Sequence, residues 1–402
     1  MSRFPAVALN TPIDASPVQT GTAGLVLLSV GHFFIDLYAG ALGALQPYLV
    51  DKLGMSLAQA GWLGGILLLS SSVSQPVWGY LSDRFRSRLF TVLAPAVAGV
   101  FLSALPSAPT YLWALLLVAL GGAGVASFHP QASARVTHGV AVSRATWMAF
   151  FISAGTLGMA FGPTYFSLTP LFIGFPNTWL ACLPGIACSA FLWFFLEPAP
   201  DAGRRGARLD LAALHAVWRP LAVLYFCVFI RSIVQVTFAQ LLPLYLNRER
   251  GFSIPHANYT LSVYLAFGAI GGLLGGRLAD RIGGRGVIMV SMIGCVPFLL
   301  LFFLARGWPS IAGLMIGGLI LLFTIPVNVI MAQELAPGQT GTVSALMMGF
   351  AWGLPALIFV PLTGWASDLY SMHSVLTALV LTPLAGFFLA RVLPDTRGAH
   401  RA

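Results

Sequence analysis

Charge is scarce in this sequence. Only 8% of its 402 residues are Asp, Glu, Lys or Arg, whereas 58% are hydrophobic and the mean hydropathy is +0.86, outside the range of water-soluble globular domains. Lysine occurs once, at Lys52. The four cysteines, Cys182, Cys188, Cys227 and Cys295, all fall in apolar stretches without paired or metal-ligand spacing, which argues against a disulfide scaffold and a cysteine metal centre. The ten-residue alternation of a membrane barrel is missing too. The first twenty residues hold no apolar core of signal-peptide length and read as a cytoplasmic tail.

What is present is a series of continuous apolar runs. A hydrocarbon core of about 30 Å needs about 20 helical residues, and twelve segments qualify: 23–48, 58–82, 89–107, 110–133, 145–168, 177–197, 219–246, 257–279, 287–306, 309–332, 342–366 and 373–393. Backbone polar groups in lipid must be satisfied within the segment, so the runs are helices. The expected fold class is an all-α membrane protein, with twelve transmembrane helices in two pseudo-symmetric six-helix bundles.

The formal net charge of +9 suggests a polyanion partner until the basic residues are sorted by side. Lys52, Arg248, Arg250 and Arg306 lie on one side and Arg231 within a span; all other Arg fall in the segments on the side of both termini. That bias reports orientation, with both termini cytoplasmic, and no nucleic-acid partner is expected.

The longest polar connection, residues 197 to 220, separates six spans from six. The division is a tail over 1–22, a bundle over 23–197, a linker over 198–218, a second bundle over 219–393 and a tail over 394–402. An internal repeat supports it. Gly79, Asp83, Arg84 and Arg88 at the end of span 2 recur as Gly276, Asp280, Arg281 and Arg285 at the end of span 8, both as G-x-x-x-D-R-x-x-x-R. The glycine permits close helix approach, and the basic residues hold the loop on its side of the membrane. A second pair consists of Gly155, Gly158, Gly162 and Pro163 in span 5 and Gly349, Gly353 and Pro355 in span 11.

Ionisable groups at membrane depth cost about 2.5 to 3.5 kcal/mol each on insertion scales, so each is a functional candidate. His32 and Asp36 lie four residues apart on one face of span 1, near mid-membrane, and read as a proton site. Arg231 occupies nearly the corresponding place in span 7, which predicts opposite charges facing one cavity. The candidate substrate contacts are Arg231, His129, Gln235, Asn328 and Gln46; His129 is equally readable as a gate or a helix-end cap. Pro130 and Pro326 predict breaks in both span 4 and span 10. No clustered His/Cys/Asp metal site and no nucleophile elbow stand out, so neither an enzyme nor a metal or cofactor is expected.

The paired loop motif resembles the signature of the major facilitator superfamily. Gly158, Gly162 and Pro163 resemble the pattern associated with its antiporters. GHFFIDLYAGALGALQPYL, SFHPQASARV and QELAPGQTGTVSALMMGFAWG together look like its fosmidomycin resistance branch, except that Gln131 and Ala44 stand where the branch has an acidic residue and a proline. The resemblance implies a monomeric bacterial inner-membrane exporter, driven by protons, with helices 1, 4, 7 and 10 lining a central cavity. Export of a small anionic or zwitterionic compound is the function expected; a proton-coupled importer and an uncoupled facilitator share the fold.

Overall fold

The computed structural model describes residues 22–85, 87–136, 144–197 and 211–394. Among them there is no strand. Eleven helices are long and apolar enough to cross a membrane: α1 Thr22–Leu53, α2 Leu57–Ser82, α3 Leu89–Ser107, α4 Tyr111–Val136, α6 Phe175–Phe195, α7 Trp218–Arg248, α8 Ile254–Ile282, α9 Gly284–Leu304, α10 Trp308–Leu335, α11 Thr342–Leu369 and α12 Met372–Ala390. The twelfth, α5 Arg144–Ile173, has the length at 30 residues. The expected twelve-helix architecture is thus present. The two tails and residues 198–210 of the expected linker lie outside the described residues, as does the side chain of Asp83.

Helices α1 to α6 pack together, as do α7 to α12, and the main crossings between the groups are α2 with α11, α5 with α8, and the second half of α1 with α7, with smaller contacts of α1 with α8 and α2 with α7. Without a hydrophobic drive between helices in lipid, such seams depend on small residues that bring backbones together. A Cβ on Gly61 of α2 would lie 2.6 Å from the Val360 carbonyl oxygen of α11, and one on Gly43 of α1 would overlap the Ala239 carbonyl of α7.

Although α2 and α11 stay together as far as Val73 and Gly353, most of these contacts lie toward the end of the molecule at which α1 finishes, hereafter the Leu53 face. There Asp368 of α11 accepts hydrogen bonds from the backbone N–H groups of Leu57 and Ala58 at the start of α2, both 2.8 Å. Thr164 of α5 donates to Ser262 of α8 at 2.8 Å, and Asn258 of α8 donates to the Ala44 carbonyl at 3.2 Å. Arg248 and Asp51 pair at 3.0 Å. Toward the opposite Thr22 face the second bundle has a separate core, built from residues such as Leu224, Ile288, Met331 and Met347 with no member from the first bundle. Among the described residues the bundles are therefore joined at one face and part at the other.

The repeat persists in packing. Gly79 of α2 faces Pro130 of α4, where an added Cβ would lie 3.5 Å from the ring; Gly276 of α8 faces Pro326 of α10 at 3.9 Å. The two prolines act differently, which corrects one expectation. α10 turns at Leu322 and Phe323 between helical segments ending at Leu321 and resuming at Thr324, because Pro326 withholds a hydrogen bond from the Leu322 carbonyl and crowds it. α4 runs unbroken through Pro130. There Ser127 Oγ bonds the carbonyls of Gly124 and Phe90, and the His129 ring bonds that of Val125. Each of α2 and α11 contains a π-helical turn, Leu69–Val73 and Leu346–Phe350; such turns are often found at functional sites.

Candidate functional site

His32 and Asp36 meet as their spacing predicts, with His32 Nε2 3.3 Å from Asp36 Oδ2. The structure adds a third member. His129 of α4 brings its Nε2 to 3.4 Å from Asp36 Oδ1, so one carboxylate is held between two imidazoles. Sequence reasoning assigned His129 to substrate, gate or cap; its approach to Asp36 depends on how α4 lies against α1, which no local pattern encodes.

Hydrogen bonding settles the tautomers. His32 Nδ1 lies 2.8 Å from the Phe151 carbonyl oxygen and His129 Nδ1 2.9 Å from that of Val125. A carbonyl only accepts, so both Nδ1 atoms carry hydrogen and both Nε2 atoms aim at the carboxylate. Each Nε2···O contact is favourable only with a proton between its atoms. The cluster therefore runs from a net charge of −1 without shared protons to +1 with two. His32 also stacks on Phe151, ring centroids 4.2 Å apart.

The glycines of α5 make this geometry possible. A Cβ on Gly155 would lie 2.6 Å from Asp36 Oδ2 and overlap the His32 ring, while Cβ atoms on Gly158 and Gly162 would meet the carbonyls of Phe33 and Leu37. The glycine run thus seats α5 on α1 inside the first bundle, and α8 likewise turns Gly271 and Gly275 to the α10 backbone. The glycines of α2 and α11, by contrast, face each other's helix across the two bundles.

Arg231 is 5% exposed. Its guanidinium donates to Gln235 Oε1 one turn away and to Ser232 Oγ, while Nε has no hydrogen-bond partner. The hydroxyl of Tyr264 in α8 is buried and, among the described residues, without a partner. Among the described residues no carboxylate pairs with Arg231. Equal position in a repeat fixes depth, not the direction a side chain takes.

The other candidates separate by environment. Asn328 is 2% exposed and neither end of its amide has a partner. Gln46 is fully buried and donates to the Ala60 carbonyl at 3.1 Å, tying α1 to α2. Gln131 accepts from Thr91 and donates to the Ser87 carbonyl at 3.0 Å, tying α4 to the region following α2. Arg88 bonds the Leu196 carbonyl and lies over the Trp193 ring at 5.4 Å; Arg84, Asp280 and Arg281 are exposed, and Arg285 is partly buried. All four cysteines are buried and free.

Twelve membrane helices in two repeated bundles that part at one face define a multi-pass transporter of small molecules. Over residues 28–360 the chain matches the model of the Major Facilitator Superfamily, and it belongs to that family. It is 29% identical over 412 residues to the fosmidomycin resistance protein of Escherichia coli (strain K12), covering 99% of both chains. It is 28% identical over 405 residues to an uncharacterized transporter of the same superfamily from Bacillus subtilis (strain 168), covering 97% of this chain and 98% of that one. Among solved structures it superposes on a bacterial homolog of the human lysosomal transporter Spinster, in an inward-facing and occupied conformation, with a TM-score of 0.77. That match covers 91% of this chain and 96% of the other at 15% identity, a likeness of fold.

Proposed function

We propose that the protein is a proton-coupled exporter of small anionic or zwitterionic compounds in a bacterial inner membrane, with the Thr22 face and both termini cytoplasmic. The observation that carries this reading is that two charged sites within the spans are not paired with each other: among the described residues Arg231 is buried without a carboxylate partner, and Asp36, partly buried, is held between His32 and His129. A guanidinium at this depth without a counter-charge is costly. A substrate phosphonate or carboxylate supplies the missing charge in the planar geometry that Arg favours. Gln235, which accepts from the guanidinium, stands beside it as a further polar contact.

Exchange with protons follows from the second site. A substrate that places its anionic group on Arg231 and a cationic or hydrogen-donating group on Asp36 takes the place of the shared protons. In the state open at the Thr22 face the compound enters as protons leave; in the opposite state external protons return and release it. A proton entering down 100 mV contributes about 2.3 kcal/mol and one pH unit about 1.4 kcal/mol. Together these sustain a concentration ratio of several hundredfold. The opening at the Thr22 face and the relatedness to the fosmidomycin resistance protein support this direction.

The test is reconstitution in liposomes containing a pH-sensitive dye, with an imposed proton gradient and candidate phosphonates, fosmidomycin among them. Proton flux that needs substrate and disappears in Asp36→Asn supports antiport. Substrate and protons moving in the same direction would make the protein a symporter, and substrate movement without proton flux a facilitator; either result refutes the proposal.

A further inference from the structure

The proton cluster also has the geometry of a metal site, against the expectation from sequence that none is present. The donor atoms of His32, Asp36 and His129 lie within 4.8 Å of one another. Ligands about 2.0–2.1 Å from a tetrahedral Zn²⁺ stand about 3.3 Å apart. The two histidine-to-carboxylate separations, 3.3 and 3.4 Å, each have that length but run to different oxygens of Asp36, so the carboxylate must turn to offer both rings one oxygen or hold the ion through both. The Nε2–Nε2 edge has at most about 1.5 Å to close.

Three further observations agree. Both Nδ1 atoms donate to backbone carbonyls, the outer-shell bond that metal-ligating histidines almost always make and that fixes the ring with Nε2 free. Two neutral imidazoles and a carboxylate sum to −1, so one divalent ion leaves +1, the charge that two shared protons would leave. Finally, the side chains of Asp36 and His129 are 15% and 24% exposed, so ions can reach the site and a fourth position stays open.

We propose that His32, Asp36 and His129 bind one divalent transition-metal ion, Zn²⁺ foremost, in place of their protons, and that the bound ion arrests transport. The nitrogen donors select borderline ions such as Zn²⁺ or Ni²⁺ over Mg²⁺ and Ca²⁺, which demand oxygen. Binding stands on the geometry alone; arrest rests on the proton-coupling reading above.

The experiment has two parts. Purified full-length protein without an affinity tag is titrated with ZnCl₂ by calorimetry and with Co²⁺ as an absorbing stand-in. One ion per chain is expected, with proton release. Affinity should fall more than about 100-fold in each of His32→Gln, Asp36→Asn and His129→Gln, since even outer-shell changes cost 10- to 100-fold. His256→Ala, at an exposed histidine, should bind like wild type. Only variants that elute as single species with wild-type melting behaviour are compared; should none qualify, Co²⁺ absorption by wild type reads the ligands directly, tetrahedral nitrogen and oxygen donors supporting the site. No stoichiometric binding by wild type, or binding unchanged in the qualifying variants, overturns the site. In liposomes, Zn²⁺ should stop substrate-dependent proton flux at concentrations matching the calorimetric Kd; binding without inhibition overturns the arrest. Absence of proton flux before any Zn²⁺ is added refutes the coupling reading instead and leaves the binding result intact.

Discussion

Gly155→Ala tests whether the cluster's geometry sets its proton affinity. The new Cβ would stand 2.6 Å from Asp36 Oδ2, where ordinary contact begins at 3.4 Å, so the carboxylate or α5 must move by about 0.8 Å, the difference between those distances. Moving the carboxylate alone is not enough, because the Cβ also overlaps the His32 ring; that ring is stacked on Phe151 of α5 and tied to its carbonyl, so a retreat of α5 draws it away from Asp36. At 3.3 and 3.4 Å the contacts to Asp36 are already long, and such a shift removes one of them. A hydrogen bond to a charged group contributes about 1.5–3 kcal/mol, or about ten- to a hundredfold in proton affinity. The assay is substrate-driven proton flux in liposomes as a function of external proton concentration. The half-saturating concentration should rise by that factor while the protein remains folded. Gly349→Ala is the control, since nothing lies within 4 Å of its added Cβ. A flux profile in Gly155→Ala matching that of the control would refute the reasoning.

Three other substitutions probe the remaining parts. Arg231→Gln removes the buried charge and should weaken binding of an anionic substrate by about 1.5–3 kcal/mol; Arg231→Lys should recover only part, because the planar fork is lost. Substrate titration by calorimetry or tryptophan fluorescence reads both. Asp368→Asn loses the charge in the two bonds that hold α2 to α11 at the Leu53 face and should move the population toward opening there by about 1 kcal/mol after discounting for exposure; spin-label distances across that face measure it. Asp51→Asn breaks an ion pair whose side chains are 39% and 63% exposed, so the same distances should change little.

Much of the architecture was legible in the residues. Apolar run length gives the helices because lipid offers the backbone no other partner, and the recurrence of G-x-x-x-D-R-x-x-x-R divides them six and six. His32 and Asp36 were readable as a pair because four residues make one helical turn, a local relation. Gly155, Gly158 and Gly162 were readable as a close-contact face, though not which helix they contact.

What the sequence determined by itself is therefore whatever depends on spacing along one helix: the spans, the repeat, the His32–Asp36 pair and the depth of Arg231. The tertiary structure alone decided whatever depends on the rotation and tilt of one helix against another. It brought His129 of α4 to the second oxygen of Asp36, set Gly155 of α5 against the pair, kept Arg231 without a carboxylate, and joined the bundles at the Leu53 face. The physical reason is that a helix fixes its own side chains through 3.6 residues per turn, whereas the angle between two helices in lipid is set by packing over their whole length.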